Sequence, residues 1–250
     1  MCTLSFMPVP GGFHLLMNRD EQRTRPVGLP PDLHSCGHHQ ALYPSEPTGG
    51  TWIGINERGL TLALINWYSK PQLAGIPASS RGTIIPELLS TDSAHDAENL
   101  LKNLPLNRFN PFRLIMVSTE EQSVHEFLSD SLVLLKNSHS WTRKHWFSSG
   151  FNEPETMRRR GEICSNSFPS IPNDPRGSLR ALHQSHEPEK GPYSICMHRA
   201  DAHTVSFTEI ILQNGKASLT YHHAPPCKPV PPTTLTIRLI PKIHGSQPAP

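Results

Sequence analysis

MCTLSFMPVPGGFHLLMNRDE, residues 1–21, is the stretch whose reading decides the fold. Cys2, Leu4 and Phe6 alternate with Thr3 and Ser5, the period of a strand, and residues 13–17 form a second apolar run after Gly11-Gly12. Together they predict a β-hairpin. Its strands run antiparallel, so the start of the first meets the end of the second. Cys2 then becomes a neighbour of Asn18-Arg19-Asp20-Glu21.

Further along, hairpins recur. Residues 28–50 have the composition of a loop, while 51–55 and 60–66 flank the turn Asn56-Glu57-Arg58-Gly59. Asp92 or Ser93 can cap a helix running to about Asn103, in which Ala94, Ala97, Leu100, Leu101 and Leu104 recur at helical spacing. Residues 114–117 and 124–128 read as a strand pair, and 155–164 and 178–186 as helices. Residues 204–212 and 217–221 are strands joined through Asn214-Gly215, a strong hairpin signal. Hairpins outnumber strand-helix-strand units, which predicts an α+β class with largely antiparallel sheets and helices outside them.

The chain has 250 residues, enough for one large domain, which we expect over 1–224. The Pro-rich tail 225–250 precludes regular structure except for one added strand at 233–240, and its last ten residues are expected to lack order. Formal charge is +2, too weak a field to imply nucleic acid, and Arg158-Arg159-Arg160 reads as a solvated helix face. Five widely spaced cysteines form an odd set in a chain too long to need staples, so reduced thiols and a cytoplasmic setting are expected. No basic leader precedes Pro8 and Pro10, and no stretch is long enough to span a membrane.

Cys2 occupies a special position. Cleavage after Met1 would give one residue both a thiol and a free α-amine, and the amine can act as the thiol's base. The arginine of Asn18-Arg19-Asp20-Glu21 would lower the thiol pKa, and a carboxylate there would hold the amine. Asn66, at the end of a strand, could donate its amide to an oxyanion.

Three spaced motifs carry a resemblance. Met1-Cys2-Thr3, then Asn18-Arg19-Asp20-Glu21 with Arg25-Pro26, then residues 49–59 from Gly49-Gly50-Thr51-Trp52 to Arg58-Gly59, resemble the ordered signature of the NRDE family, also called the transport and Golgi organisation family. The likeness extends over roughly residues 1–224. More distantly the chain is similar to choloylglycine hydrolases and penicillin V acylases. That resemblance implies a four-layer αββα sandwich of the N-terminal-nucleophile (Ntn) hydrolase type, with Cys2 as nucleophile and amine base, Arg19 and Asp20 tuning it, and Asn66 polarising the scissile carbonyl. It places Asn18, Glu21, Trp52 and Ser149 at the substrate. Two departures are visible. Those hydrolases separate their Arg from their Asp by two residues, whereas Arg19 and Asp20 are adjacent, so either Asp20 or Glu21 could take the acidic role. Where relatives carry Ser-Asn, this chain has Ser148-Ser149, and Ser149 or Asn152 would replace the amide.

Two functions follow from the resemblance. One is an amidohydrolase acting on a small-molecule amide or acyl ligand, with no cofactor. The other is non-catalytic handling of haem, as bound cargo, or of lipid or acyl-CoA. The fold alone does not choose between them. Among fifteen histidines, His34, His38 and His39 make the densest cluster with Cys36, but the spacing fits no zinc motif; His183, His186, His222 and His223 read as satisfied or exposed side chains, and no metal is expected. No glycine-rich loop implies a nucleotide. Oligomeric state is not legible.

Overall fold

The computed structural model describes residues 2–73, 79–168 and 172–241. The opening hairpin forms as predicted: β1, Cys2–Val9, pairs with β2, Gly12–Gln22, and sets Cys2 opposite Arg19. Gly12 has no room for a side chain, since a Cβ there would fall 1.8 Å from the Leu212 carbonyl oxygen. That crowding comes from β11, Ala202–Gln213, which pairs with β2 and, beyond Asn214-Gly215, with β12, Lys216–His222. The edges are β13, Thr233–Arg238, beside β12, and β10, Lys144–Ser148, beside β1. All pairings are antiparallel, in the order β10-β1-β2-β11-β12-β13.

A second antiparallel sheet runs in sequence order. Its strands are β3, Leu29–Cys36; β4, His39–Ser45; β5, Ile53–Asn56; β6, Thr61–Asn66; β7, Phe112–Ser118; β8, Ser123–Ser129; and β9, Leu134–His139. Its outer face is covered by α1, Ile84–Leu88, and α2, Ala94–Asn103, the latter capped by Ser93 accepting from the Asp96 N–H at 3.1 Å. On the six-stranded sheet lie α3, Glu153–Ser167, and α4, Pro175–Gln184. The result is the α+β, αββα sandwich. Period-2 alternation explains its layering. Leu4, Phe6, Leu15 and Met17 meet Ile53, Ile55, Ala63 and Ile65 between the sheets. Leu16 and Phe147 turn outward to Leu179 and Leu182. Full burial of each Leu, Ile, Phe or Met among them contributes about 1.5–3 kcal/mol.

Three expectations need correction. Residues 28–50 are not a loop: they hold β3 and β4, and Pro30 and Pro31 are tolerated because β3 is an edge strand. β9 and β10 were not foreseen, since β9 is a mostly exposed polar edge and β10 has only five residues. The basic run is not one solvated face. Arg158 and Arg159 do reach Glu155 and Glu162 at the surface, but Arg160 is 1% exposed in the core. The expectations for Met1 and for 242–250 lie outside the described residues. No helix among the described residues is long and apolar enough to cross a membrane.

Candidate active site

Cross-strand register builds the site. Directly paired residues on antiparallel strands share a face. Cys2 therefore lies between Arg19 on β2 and Ser148 on β10, all three facing the other sheet. β1 begins here and β10 and β6 end here, leaving a cavity of about 290 Å³ at one end of the sandwich. Cys2, Arg19, Asp20, Glu21, Trp52 and Asn66 all line it, together with Arg25, Glu46, Arg81 and Asn110. Asn18 and Ser149 are not brought to it. The Asn18 side chain turns to the helix layer and donates to the carbonyls of His183 and Ile195, at 2.9 and 3.0 Å. The Ser149 hydroxyl donates to the Phe151 carbonyl at 2.9 Å.

The cavity wall is charged and paired. Arg19 stacks over the Trp52 ring, 4.4 Å from its centroid, and donates to Glu46 Oε1 at 2.6 Å. Arg25 donates to both Glu46 oxygens, at 2.8 and 2.9 Å, and to Glu21 at 3.1 Å. Glu46 is held by a tight turn in which its N–H donates to the Gly50 carbonyl at 3.0 Å. Gly50 has φ +83, and a Cβ on it would lie 2.8 Å from the Gly82 carbonyl carbon, so only glycine lets the two backbones meet. That contact sets Arg81 beside Thr51, whose N–H donates to the Gly82 carbonyl at 2.9 Å.

The thiol is not activated as Arg19 alone would predict. Burial pushes the Cys2 pKa up and the Asp20 carboxylate adds to the rise, while the charge of the terminal amine, then Arg19 and a hydrogen bond from the Asp20 backbone, oppose it. Desolvation wins because Cys2 is 6% exposed and the Arg19 guanidinium is committed to Glu46. Of the two candidate carboxylates, Asp20 is the fully buried one, accepting from Thr204 Oγ1 at 2.6 Å and from Arg160 Nη2 at 3.3 Å. Arg160 also donates to Thr3 Oγ1 at 2.8 Å. Glu21 sits between Arg19 and Arg25 and is partly exposed.

Across the cavity, Asn66 Nδ2 donates to the Tyr68 hydroxyl at 2.7 Å. The Glu153 carboxylate fixes this loop from below, accepting from the N–H of Tyr68, Ser69 and Ser149. Asn152 precedes α3 in a left-handed conformation, φ 43, and makes no side-chain cap. Ser148 Oγ, on the Cys2 face, is buried with no hydrogen-bond partner. Sequence reasoning did not single out Glu46 or Tyr68, and it met Arg81, Asn110 and Ser148 only within the stretches that carry the family resemblance. Among the added cavity residues, Arg25, Arg81 and Asn110 each lay in a stretch that resembles the family signature. Glu46 lay in a stretch read as loop, where no periodicity marks a side chain.

The profile described as Transport and Golgi organisation 2 matches residues 1–151, the portion that supplies every cavity-lining residue named above. No curated protein matches the chain in sequence. Among solved structures, the chain is similar to penicillin V acylase from Agrobacterium tumefaciens, with TM-score 0.54, 12% identity, and coverage of 95% of this chain and 86% of that one. It is also similar to a mutant of conjugated bile acid hydrolase from Clostridium perfringens, with TM-score 0.54, 13% identity, and coverage of 94% and 92%. At such identity the likeness concerns the fold, which is that of the Ntn hydrolases.

Proposed function

The chain belongs to the Transport and Golgi organisation 2 family, and from that premise we propose that it is an Ntn-type hydrolase cutting a non-peptide C–N bond in a small polar amide. One observation carries the reading: Cys2 faces a charged cavity at a strand end, with an arginine, a buried carboxylate and an asparagine amide around it. With Met1 removed, the Cys2 α-amine takes the thiol proton and Sγ attacks the carbonyl carbon, forming a C–S bond. Asn66 turns its amide from Tyr68 to the oxyanion. The ammonium returns its proton to the leaving nitrogen as the C–N bond breaks. Water, deprotonated by the same amine, then cleaves the thioester and frees the acid and the thiol. Asp20, buried beside the thiol, is suited to hold the ammonium, and Arg19, Arg25 and Arg81 against Glu21 and Glu46 suit a ligand bearing charge. Unpaired cysteines throughout support a reducing, cytoplasmic setting.

A second reading is favoured by the raised Cys2 pKa: a buried, protonated thiol also suits a cavity that binds an acyl or haem cargo without cutting it. For haem, His39 is poorly placed as an axial ligand, because its Nδ1 lies 3.2 Å from Glu57 and its Nε2 3.2 Å from Asp92. The test is intact mass combined with turnover. Protein lacking Met1 is expected to release acid from members of an N-acyl amide panel, and Cys2→Ala to abolish release while leaving the fold intact. Retention of Met1 in active protein removes this mechanism. Wild type lacking Met1 that cleaves nothing but binds haem stoichiometrically favours the carrier.

A further inference from the structure

Away from the cavity, four side chains converge beyond the C-terminal end of α4. His186 follows that helix, Cys196 and His198 lie on the segment leading to β11, and Cys227 arrives from the Pro-rich stretch after β12. One donor atom from each lies within 4.8 Å of the other three. His198 Nε2 is 3.6 Å from Cys196 Sγ and 3.5 Å from Cys227 Sγ. The His186 and His198 ring centroids are 5.1 Å apart, and His186 Nε2 is buried with no hydrogen-bond partner.

We propose that His186, Cys196, His198 and Cys227 form a structural zinc site. Zinc–sulfur bonds of about 2.3 Å and zinc–nitrogen bonds of about 2.0–2.1 Å at tetrahedral angles put sulfur and nitrogen donors roughly 3.5–3.6 Å apart. Both sulfur–nitrogen separations match this. Thiol–imidazole hydrogen bonding is a poorer account, because one ring nitrogen has one lone pair or one proton and two sulfurs converge on it. A cation at the centre satisfies all four groups, including the orphan His186 nitrogen. Two soft thiolates with two imidazoles in tetrahedral array select zinc over magnesium or calcium. Four protein ligands leave no position for substrate, so the role is structural.

The metal would hold together parts of the chain that lack regular structure. Residues 185–198 contain neither helix nor strand, and residues 223–232 are equally irregular. The first of these also braces the cavity: the Met197 N–H donates to Thr204 Oγ1 at 2.9 Å, and Thr204 donates to Asp20 at 2.6 Å. No local motif reveals the site, because Cys227 reaches it only after the chain has traversed β11 and β12.

The test uses the full chain, purified reduced and without added chelator. Elemental analysis is expected to find zinc equimolar with protein. Exchange for cobalt(II) is expected to produce a thiolate-to-cobalt charge-transfer band and the intense visible bands of a tetrahedral ion. Cys196→Ser and Cys227→Ser should each lose zinc and weaken the charge-transfer band, whereas Cys36→Ser should keep both. Zinc extraction should lower the wild-type melting temperature. The proposal is overturned if folded wild type retains no zinc and shows no tetrahedral cobalt spectrum, a result that depends on no variant. It is equally overturned if the double variant Cys196→Ser/Cys227→Ser keeps the metal, if iron or copper occupies the site instead, or if trapping of thiols reveals a Cys196–Cys227 disulfide in the native protein.

Discussion

On the side of β1 and β2 that faces the other sheet, Leu4, Phe6, Leu15 and Met17 give way to polar groups only at the end, at Cys2 and Arg19. The side facing the helices carries Thr3, Ser5, Asn18 and Asp20 along the same two strands, all fully buried. There each of these four side chains has a fixed partner. Thr3 and Asp20 share Arg160, and the Ser5 hydroxyl lies 2.8 Å from His145 Nδ1 and 2.9 Å from His183 Nε2. Asn18 closes that chain, with Oδ1 3.0 Å from His183 Nδ1. At the cavity the charges pair with side chains that reach solvent, Arg25 being 43% exposed. One hairpin thus divides its polar residues between an internal hydrogen-bonded network, whose Asp20 also borders the cavity, and a set of pairs that a ligand can enter.

The largest effect that could break this comparison is on stability. Arg160→Met takes the guanidinium from Asp20 in the core, leaving it the Thr204 hydroxyl, and is expected to cost about 3–5 kcal/mol in denaturant unfolding. Arg19→Met, whose partner Glu46 can turn to water, should cost well under half of that; equal losses would erase the distinction between the faces. Next is Asn66→Ala, expected to slow amide release about 10²–10³-fold with unfolding unchanged. A large stability loss with unchanged turnover would place Asn66 on the structural side.

Acid should act on the helix-facing network. Burial, with His145 and Arg160 adding, pushes His183 down to about 3, and burial pushes His145 down to about 4. An unfolded imidazole titrates near 6.5, so below that pH the unfolded chain binds protons that the folded one refuses. Stability is full above about pH 6.5 and falls as pH drops toward the folded values, with His183 alone accounting for about 2 kcal/mol by pH 5. His183→Gln should flatten that slope, and an unchanged slope would count against the network. The smallest effect belongs to the exposed ion pairs of α3: solvent screens them, so Arg158→Ala should leave the denaturant midpoint unchanged.

How far the sequence revealed this depends on what each residue depends on. The β1–β2 hairpin and α2 were readable because period and capping are local, as Ser93 before Ala94 shows. Cys2 and Arg19 could be placed near one another by the register of the hairpin, whereas Asn66 joined them only through the family resemblance. β3 was hidden by its prolines, which only its edge position permits. Arg160 was indistinguishable from Arg158 and Arg159, since its burial depends on Asp20, 140 residues away. The Glu46 pairing depends in the same way on a turn and a neighbouring strand that no short pattern encodes.

The pairing of β2 with β11 also sets an order of events during synthesis. Strands β3 to β9 form one contiguous sheet between Leu29 and His139, and each can find its neighbour soon after leaving the ribosome. The first hairpin must wait for Ala202–Gln213 before its open edge is covered. At 5–20 residues per second that wait lasts roughly 10–40 s, with the apolar face of Leu4, Phe6, Leu15 and Met17 incompletely covered until the six-stranded sheet assembles. Non-local closure of this kind is slow, so a segment made well before its partner strand is among the last to become native, and it is the segment that holds the thiol.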